Sequence, residues 1–399
     1  MLKKIFSNTV AQLVAKFFGA GLTLLTTYYT IRLAGLDLYG DLTKILVLVA
    51  VGFTAIDFGL NAEGLRSSRD DLSMRQSLAQ ILLARLLLSV AVVIVLNLIV
   101  GVLPGGYSPE VKSVFWVGSL AIIFQGIYTS GNAWFQYQLS YWRSAISVIV
   151  GSLVGTLLTF YYLKHSPTLS NFVLATTLGY FSMALTTLLL LPRIHGFTTM
   201  RIHDVAVLLR RSLVLGLILI ASVIASKIDT VLLGVFRLSG EVGEYGFAYR
   251  IFDVILVLPV FVMNVIYPLS LRESAKSHEP TLISQTTKYL ALTGVFVASV
   301  VWFAVPYLNL VKPGLTISIS VLRILALTLP FFYMTAPLMW GLIGKKRDLV
   351  VLGVYLAAAL LNFVLNFLFI PVHGATIAAW NTGITELFVF LSLLYFSRL

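Results

Sequence analysis

The stretch RLAGLDLYG, residues 32–40, returns as RLSGEVGEYG at residues 237–246. Arg32 stands against Arg237 at an offset of 205 residues, and Tyr39-Gly40 against Tyr245-Gly246 after one inserted residue. In a chain of 399 residues that offset is close to half the length. Arg143 and Arg347, each opening a long apolar run, repeat the relation at an offset of 204. Runs of Phe, Leu and Val align anywhere in an apolar sequence. A shared Arg-Leu-x-Gly…Tyr-Gly turn at the same place in both halves is harder to obtain from composition alone, so the chain reads as two halves built on one plan.

Composition says where those halves reside. The chain is 59% hydrophobic and only 11% charged, with a mean hydropathy of +0.95. A soluble domain keeps about 25% charged residues, and less than half of that cannot coat a globule in water. A helix needs about 20 mainly apolar residues to cross the hydrocarbon core. That window finds twelve spans, near 8–32, 42–64, 78–102, 113–138, 144–163, 169–191, 212–236, 246–270, 285–308, 318–343, 349–370 and 375–397. Six spans return the chain to its starting side, so the repeat axis runs along the membrane normal. Transporters whose two bundles rock about a midplane site have such parallel repeats. The expected fold is an all-α polytopic membrane protein with twelve transmembrane helices in two six-helix lobes related by a parallel pseudo-twofold repeat. The N-terminal lobe is expected over 1–195, a basic cytoplasmic linker over 196–211 and the C-terminal lobe over 212–399.

Alternate connections carry the positive charge. Lys3, Lys4, Arg66, Arg69, Arg75, Arg143, Arg193, Arg201, Arg210, Arg211, Arg272, Lys276, Lys345, Lys346, Arg347 and Arg398 fall on the side of the N-terminus. The opposite side has only Arg32, Lys44, Lys112, Lys164, Arg237 and Lys312. Lys and Arg accumulate in cytoplasmic loops, so both termini are expected in the cytoplasm of a multi-pass protein of the cell (inner) membrane. The net charge of +12 then has a topological source and does not call for nucleic acid. The N-terminal run keeps Lys16 inside it and continues into a full span, unlike a cleavable signal peptide. With no cysteine, disulfides, thiolate metal sites and cysteine nucleophiles are excluded together. The five histidines, His195 and His278 among them, lie in short polar connections, so neither a metal site nor another cofactor is expected. No phosphate-binding G-x-x-x-x-G-K-[ST] occurs.

Ionisable residues inside spans are costly, about 2.5–3.5 kcal/mol at the centre on insertion scales, and persist where they face a bundle interior or water. The chain places Lys16 in span one, Asp57 in span two, Arg85 in span three, and Lys227 and Asp229 in span seven. Arg250 and Asp253 lie in span eight, Arg323 in span ten and Glu386 in span twelve. Arg85, Arg250 and Arg323 lie near span ends, where snorkelling to the headgroups is an equal alternative. Arg250 and Asp253, three apart on one helical face, can neutralise each other. Lys16 shares a polar stripe with Gln12, Gly19, Thr23 and Thr27, as a cavity-lining helix would. A cationic cavity of Lys16, Arg85, Lys227, Arg250 and Arg323 suits an anionic, phosphate-bearing cargo. Asp57, Asp229 and Glu386 remain for charge balance or for coupling to H+ or Na+. Asn362 and Asn366, one turn apart, read as hydrogen-bonding partners between helices. Pro259, Pro330 and Pro337 interrupt spans eight and ten.

These residues resemble the polysaccharide-export flippases of the multidrug/oligosaccharidyl-lipid/polysaccharide exporter superfamily. The likeness runs through LYG (38–40), DFGLN (57–61) and WFQ (134–136) in the first half. It continues through KIDTVLLGVF and GEVGEYGFAYR (227–250), YPLS (267–270), VLRILAL (321–327), GKK (344–346) and NFVLNFLFIPVHGATIAA (362–379). The resemblance implies a V-shaped exporter fold. It also implies a lipid-linked oligosaccharide flippase that moves an undecaprenyl-diphosphate-linked glycan from the cytoplasmic to the outer leaflet by alternating access. Polysaccharide polymerase or assembly proteins would be its partners, beside the lipid bilayer. A cation-coupled multidrug or small-molecule antiporter of the same superfamily is the nearest alternative. A membrane glycosyltransferase or polysaccharide polymerase is the third, but the connections are too short to house catalytic loops, so no enzyme is expected.

Overall fold

The repeated phrase sits where the second helix of each half begins. The computed structural model describes residues 2–67, 70–192, 202–273 and 282–398, and among these it is helical without a strand. Arg69, Arg193, Arg201 and Lys276 of the basic connections, His195 and His278, and the linker's first residues lie outside the described residues.

Helix α1 (Leu2–Leu33) ends on Arg32, which hydrogen-bonds the Tyr28 hydroxyl one turn back. The chain turns at Gly35, with φ 93°, into α2 (Leu36–Asp57). Lys44 in α2 is almost fully buried and donates to Asp41 Oδ1 at 2.8 Å and to the Gly106 carbonyl at 2.7 Å. Gly106 belongs to the connection between α4 (Asp71–Val102) and α5 (Pro109–Tyr137), so the first copy of the phrase is tied to a distant turn.

The second copy follows α8 (Ile202–Phe236) and opens α9 (Ser239–Ile255). Its two glutamates each reach the N-terminal amides of another helix. Glu244 Oε2 accepts from the Ser318 N–H at 2.9 Å in the first turn of α12 (Thr316–Gly344). Glu241 Oε1 accepts from the Ala375 N–H at 2.6 Å inside α13 (Asp348–Arg398). Hydrogen bonds to a charged acceptor contribute about 1.5–3 kcal/mol each, and a helix N-terminus adds a favourable dipole. Each half ties the helix that follows this turn to distant elements, through residues that the two copies do not share.

Helix α13 is 51 residues long but contains Gly374 at φ 65°, ψ −146°, a backbone region essentially reserved for glycine. Hydrogen bonds from Arg347 to the Phe396 carbonyl and from Asn381 to Asn366 show that the chain folds back on itself there. A Cβ on Gly374 would also collide with the Glu241 carboxylate. Ten helices among the described residues are long and apolar enough to cross a membrane. Dividing α13 at Gly374 makes eleven spans. Helix α1, at 32 residues, is long enough but is not among the ten, so the expected twelve is matched only as far as eleven.

Two spans are broken, span two where the sequence reading drew it whole and span eight near the proline expected to interrupt it. Span two stops at Asp57, passes through Phe58 at φ 49° and Gly59 at φ 69°, and resumes as α3 (Leu60–Ser67). Span eight stops at Ile255 and resumes as α10 (Val257–Glu273). Pro259 has no N–H to give the Ile255 carbonyl four residues back, and the Tyr333 hydroxyl supplies that hydrogen bond at 3.0 Å. Pro330 and Pro337, by contrast, stay inside an unbroken α12.

The remaining helices are α6 (Tyr141–His165), α7 (Leu169–Leu190) and α11 (Leu282–Ala304). Helices α6 and α7 approach backbone to backbone. A Cβ on Gly151 would lie 2.8 Å from the Gly179 carbonyl, the small-residue contact that membrane helices use in place of a hydrophobic drive. Large apolar side chains such as Phe303, 77% exposed, and Leu98 cover the outside, as lipid requires and water would not.

The chain divides into two compact units, Met1–Ile220 and Ala221–Leu399. The division falls inside α8, later than the expected linker at 196–211. The start of α8 explains this, because Val205 and Leu208 belong to the first unit's core with Leu60, Met74, Ile81 and Phe135. The second unit's core gathers Leu233, Val242, Tyr245, Phe252, Leu325 and Ala378.

Candidate functional site

In the second unit, Asp229 of α8 has no exposed surface and no Lys or Arg pairs with it among the described residues. Its carboxylate is held by donors instead. Oδ1 accepts from the Thr230 N–H at 2.5 Å and the Thr230 hydroxyl at 3.1 Å. Oδ2 accepts from Tyr245 at 2.5 Å, Tyr249 at 2.8 Å and Thr382 at 2.9 Å. Tyr245 and Tyr249 are four apart on α9, so one helical face delivers both hydroxyls. Thr382 comes from the second half of α13, 153 residues away in sequence.

Lys227, two residues before Asp229, turns to a different face and chooses another acid. Its Nζ lies 2.9 Å from both oxygens of Asp253 and 4.9 Å from the centre of the Tyr249 ring. This corrects the pairing of Asp253 with Arg250 that helical spacing suggested. The Asp253 carboxylate is 44% exposed while Lys227 is 19% exposed, so the pair sits at the rim of the buried node. Tyr249 joins the two, its hydroxyl on Asp229 and its ring under Lys227.

A polar ladder leads away from the node. Asn381 donates to Asn366 at 3.1 Å, Asn366 to Asn362 at 2.7 Å, and Asn362 to Thr385 at 3.0 Å. Asn362 and Asn366 therefore link the two halves of α13, as the sequence suggested. Glu386, one turn beyond Thr382, is 8% exposed and its Oε1 has no hydrogen-bond partner.

The first unit is arranged otherwise. Arg85 is fully buried, and each of its five N–H groups has an acceptor: the carbonyls of Ile56 (3.0 Å) and Asp57 (3.1 Å), Asn61 Oδ1 (3.0 Å), Ser130 Oγ (2.9 Å) and Asp57 Oδ1 (3.4 Å). The two carbonyls are those released by the break after Asp57. Arg85 therefore closes the broken helix end, and Asp57 balances its charge. Lys16 is exposed on α1. Arg250 is half-buried on α9. Arg323 keeps its guanidinium 5.5 Å from the Trp302 ring, with a buried Nε that has no hydrogen-bond partner. The structure thus joins Lys227 to Asp253 and Arg85 to Asp57. Lys16 belongs to the first unit and Lys227 to the second.

Tyr245, Tyr249 and Thr382 are the members of the node that sequence reasoning missed. The spacing of the two tyrosines within GEYGFAY was the available signal.

A polytopic helical chain of two units, with buried charges and a broken second span in each, defines a class: membrane proteins with the exporter fold. The solved structures it resembles carry that fold. Lipid II flippase MurJ in an inward closed conformation matches at 16% identity over 97% of this chain and 87% of its own, with a TM-score of 0.74. An inward-facing multidrug resistance MATE family transporter of the MOP superfamily matches at 14% identity over 94% of each chain, with a TM-score of 0.75. The Vibrio cholerae MATE transporter VcmN matches at 14% identity over 99% of this chain and 97% of its own, with a TM-score of 0.66. No curated protein matches the chain. The model of the polysaccharide biosynthesis protein family matches residues 1–273. The chain belongs to that family, and its structural neighbours are transporters and flippases rather than enzymes.

Proposed function

We propose that the chain is an ion-coupled flippase for an undecaprenyl-diphosphate-linked oligosaccharide, carrying it from the cytoplasmic to the outer leaflet by alternating access. Membership of a polysaccharide biosynthesis family supports a glycan cargo, and the exporter fold supports transport. The observation that carries the coupling is Asp229, a carboxylate buried in a membrane helix with hydroxyl donors around it and, among the described residues, no cationic partner. A charge so placed is retained where it does work. Lys227, Arg250 and Arg323 of the second unit are the cations assigned to the diphosphate. Arg85 contributes by holding the first unit's broken helix. Glu386 is a second exchangeable carboxyl, and Asp57 serves charge balance. H+ or Na+ drives the cycle. Both termini lie in the cytoplasm of a cell that assembles surface glycans at its inner membrane, and a polymerase consumes the product outside.

The test is flipping of a fluorescent polyprenyl-diphosphate oligosaccharide in proteoliposomes under an imposed proton or sodium gradient. Gradient-dependent flipping that Asp229→Asn abolishes supports the reading. Gradient-driven movement of cationic drugs without any movement of the lipid would replace it with the antiporter alternative.

A further inference from the structure

The first unit contains a cavity of about 590 Å³ that the transport reading does not use. It lies where α4 begins, α5 ends, α6 begins and α7 ends, and so at one membrane–water boundary of that unit. Its lining includes Arg75, Arg143, Trp134, Gln138 and Ser140, with Asp71 and the chain end Leu190–Pro192. The Arg75 guanidinium lies 5.3 Å from the Trp134 ring centre, and Arg143 lies 5.4 Å from that of Trp142. Stacking on a ring holds the Arg143 guanidinium in place and leaves its edge donors for an anion. Ser140 caps the N-terminus of α6 without a side-chain cap bond, and its buried hydroxyl has no hydrogen-bond partner. The Gln138 amide donates to Asp71 at 3.4 Å. Two guanidiniums outnumber the single carboxylate.

The second half provides an internal comparison. Arg347 occupies the position equivalent to Arg143, and residue 396 that of residue 192 at the same offset of 204. There the guanidinium donates to the Phe396 carbonyl at 3.1 Å, and Lys345 to the Ser397 carbonyl at 3.3 Å, closing the end of the last helix. Arg143 makes no such bond among the described residues. Among the described residues its guanidinium has no ion pair and touches a tryptophan while facing an open cavity. One arginine closes a helix and its counterpart is left facing a space.

We infer that this cavity is an anion site for the phosphate group of a membrane lipid headgroup. Basic pockets between helices at a membrane surface suit such headgroups. A planar guanidinium grips phosphate oxygens two at a time. Trp134 and the Leu190–Pro192 edge supply an apolar wall at the depth where a lipid's glycerol and first methylenes would lie. The volume falls in the usual range for small-ligand sites, about 300–1,000 Å³. The site is confined to the first unit, and its assignment does not depend on which cargo is transported.

The full chain, in nanodiscs of phosphatidylcholine with a minor share of phosphatidic acid, is read by native mass spectrometry for retained lipid. The wild type should retain phosphatidic acid in preference to phosphatidylcholine, and R75Q/R143Q should retain it about tenfold less. Thermal melting in detergent checks folding, and R143Q alone carries the test if the double variant does not fold. R347Q should lower the melting temperature and leave lipid retention unchanged. Competition by inorganic pyrophosphate would show that the phosphate itself is read. Failure of pyrophosphate to compete while phosphatidic acid still binds would assign the site to the whole headgroup. Equal retention by the wild type and R143Q, or no preference over phosphatidylcholine, overturns the inference.

Discussion

Replacing Asp229 with Asn keeps the shape of the node and removes its charge. In the wild type, Oδ2 receives Tyr245, Tyr249 and Thr382 at 2.5, 2.8 and 2.9 Å. An amide nitrogen at that place accepts nothing, so three donors must turn elsewhere. Hydrogen bonds to a charged acceptor contribute about 1.5–3 kcal/mol each, but hydroxyls can rotate and accept from the new NH2. We therefore expect a net loss of stability on the order of 2–4 kcal/mol, inside the 5–15 kcal/mol or so of a folded domain. The variant folds and can be assayed. If Asp229 is the coupling group, gradient-driven flipping should fall at least about tenfold, or ~1.4 kcal/mol in barrier, while the diphosphate lipid still binds. Tyr245→Phe is the control: it removes one donor, costs about 1.5–3 kcal/mol of stability, and leaves the carboxylate and the gradient response in place. Flipping by Asp229→Asn that answers the gradient as the wild type does would refute the coupling role. So would variants of both kinds that lose stability alone.

Arg85→Met should cost about 3–5 kcal/mol, because it strands Asp57 and two helix-end carbonyls together, and melting in detergent would show it. Arg85→Lys, with three donors for five acceptors, should fall between the two. Gly374→Ala should cost about 1–3 kcal/mol for its backbone alone and should release Ala375 from Glu241, seen as faster amide exchange there. Reporter fusions after residues 107, 165, 240 and 313 should read outside, and those after 70 and 346 cytoplasmic; one reversal would break the orientation. Asp70 caps α4 through the Ser73 N–H at 2.8 Å, and these hydrogen bonds hold its carboxyl below the usual range. The cap is intact above the ordinary carboxylate value and is lost as pH falls through the depressed one. Melting followed between neutral and acid pH should show that loss in the wild type and not in Asp70→Ala.

What the sequence made legible was local. Apolar windows, the doubled turn and the gap between spans eleven and twelve are each written in a few adjacent residues, and Gly374 stands in that gap. The break at Leu256 could be read from Pro259 because a proline removes a known hydrogen bond. The break at Phe58 was missed, although Gly59 stood inside DFGLN. The partners of the buried charges were not legible. Spacing on one helix favoured Arg250 for Asp253, yet Lys227 from another helix took it, and Arg85 read as a cavity cation until its five acceptors were seen to come from other helices. Thr382 reaches Asp229 across 153 residues, a distance no helical period records.

The two broken spans are fastened with very different strength. Five donors of one guanidinium rivet the first, whereas a lone tyrosine hydroxyl latches the second over a carbonyl that proline has already stripped of its own donor. A rivet fails all at once, and a latch lifts one bond at a time. Of the two breaks among the described residues, the one at residues 255–259, two residues from Asp253 of the Lys227–Asp253 pair, is therefore the one that the loss of a single hydrogen bond can free.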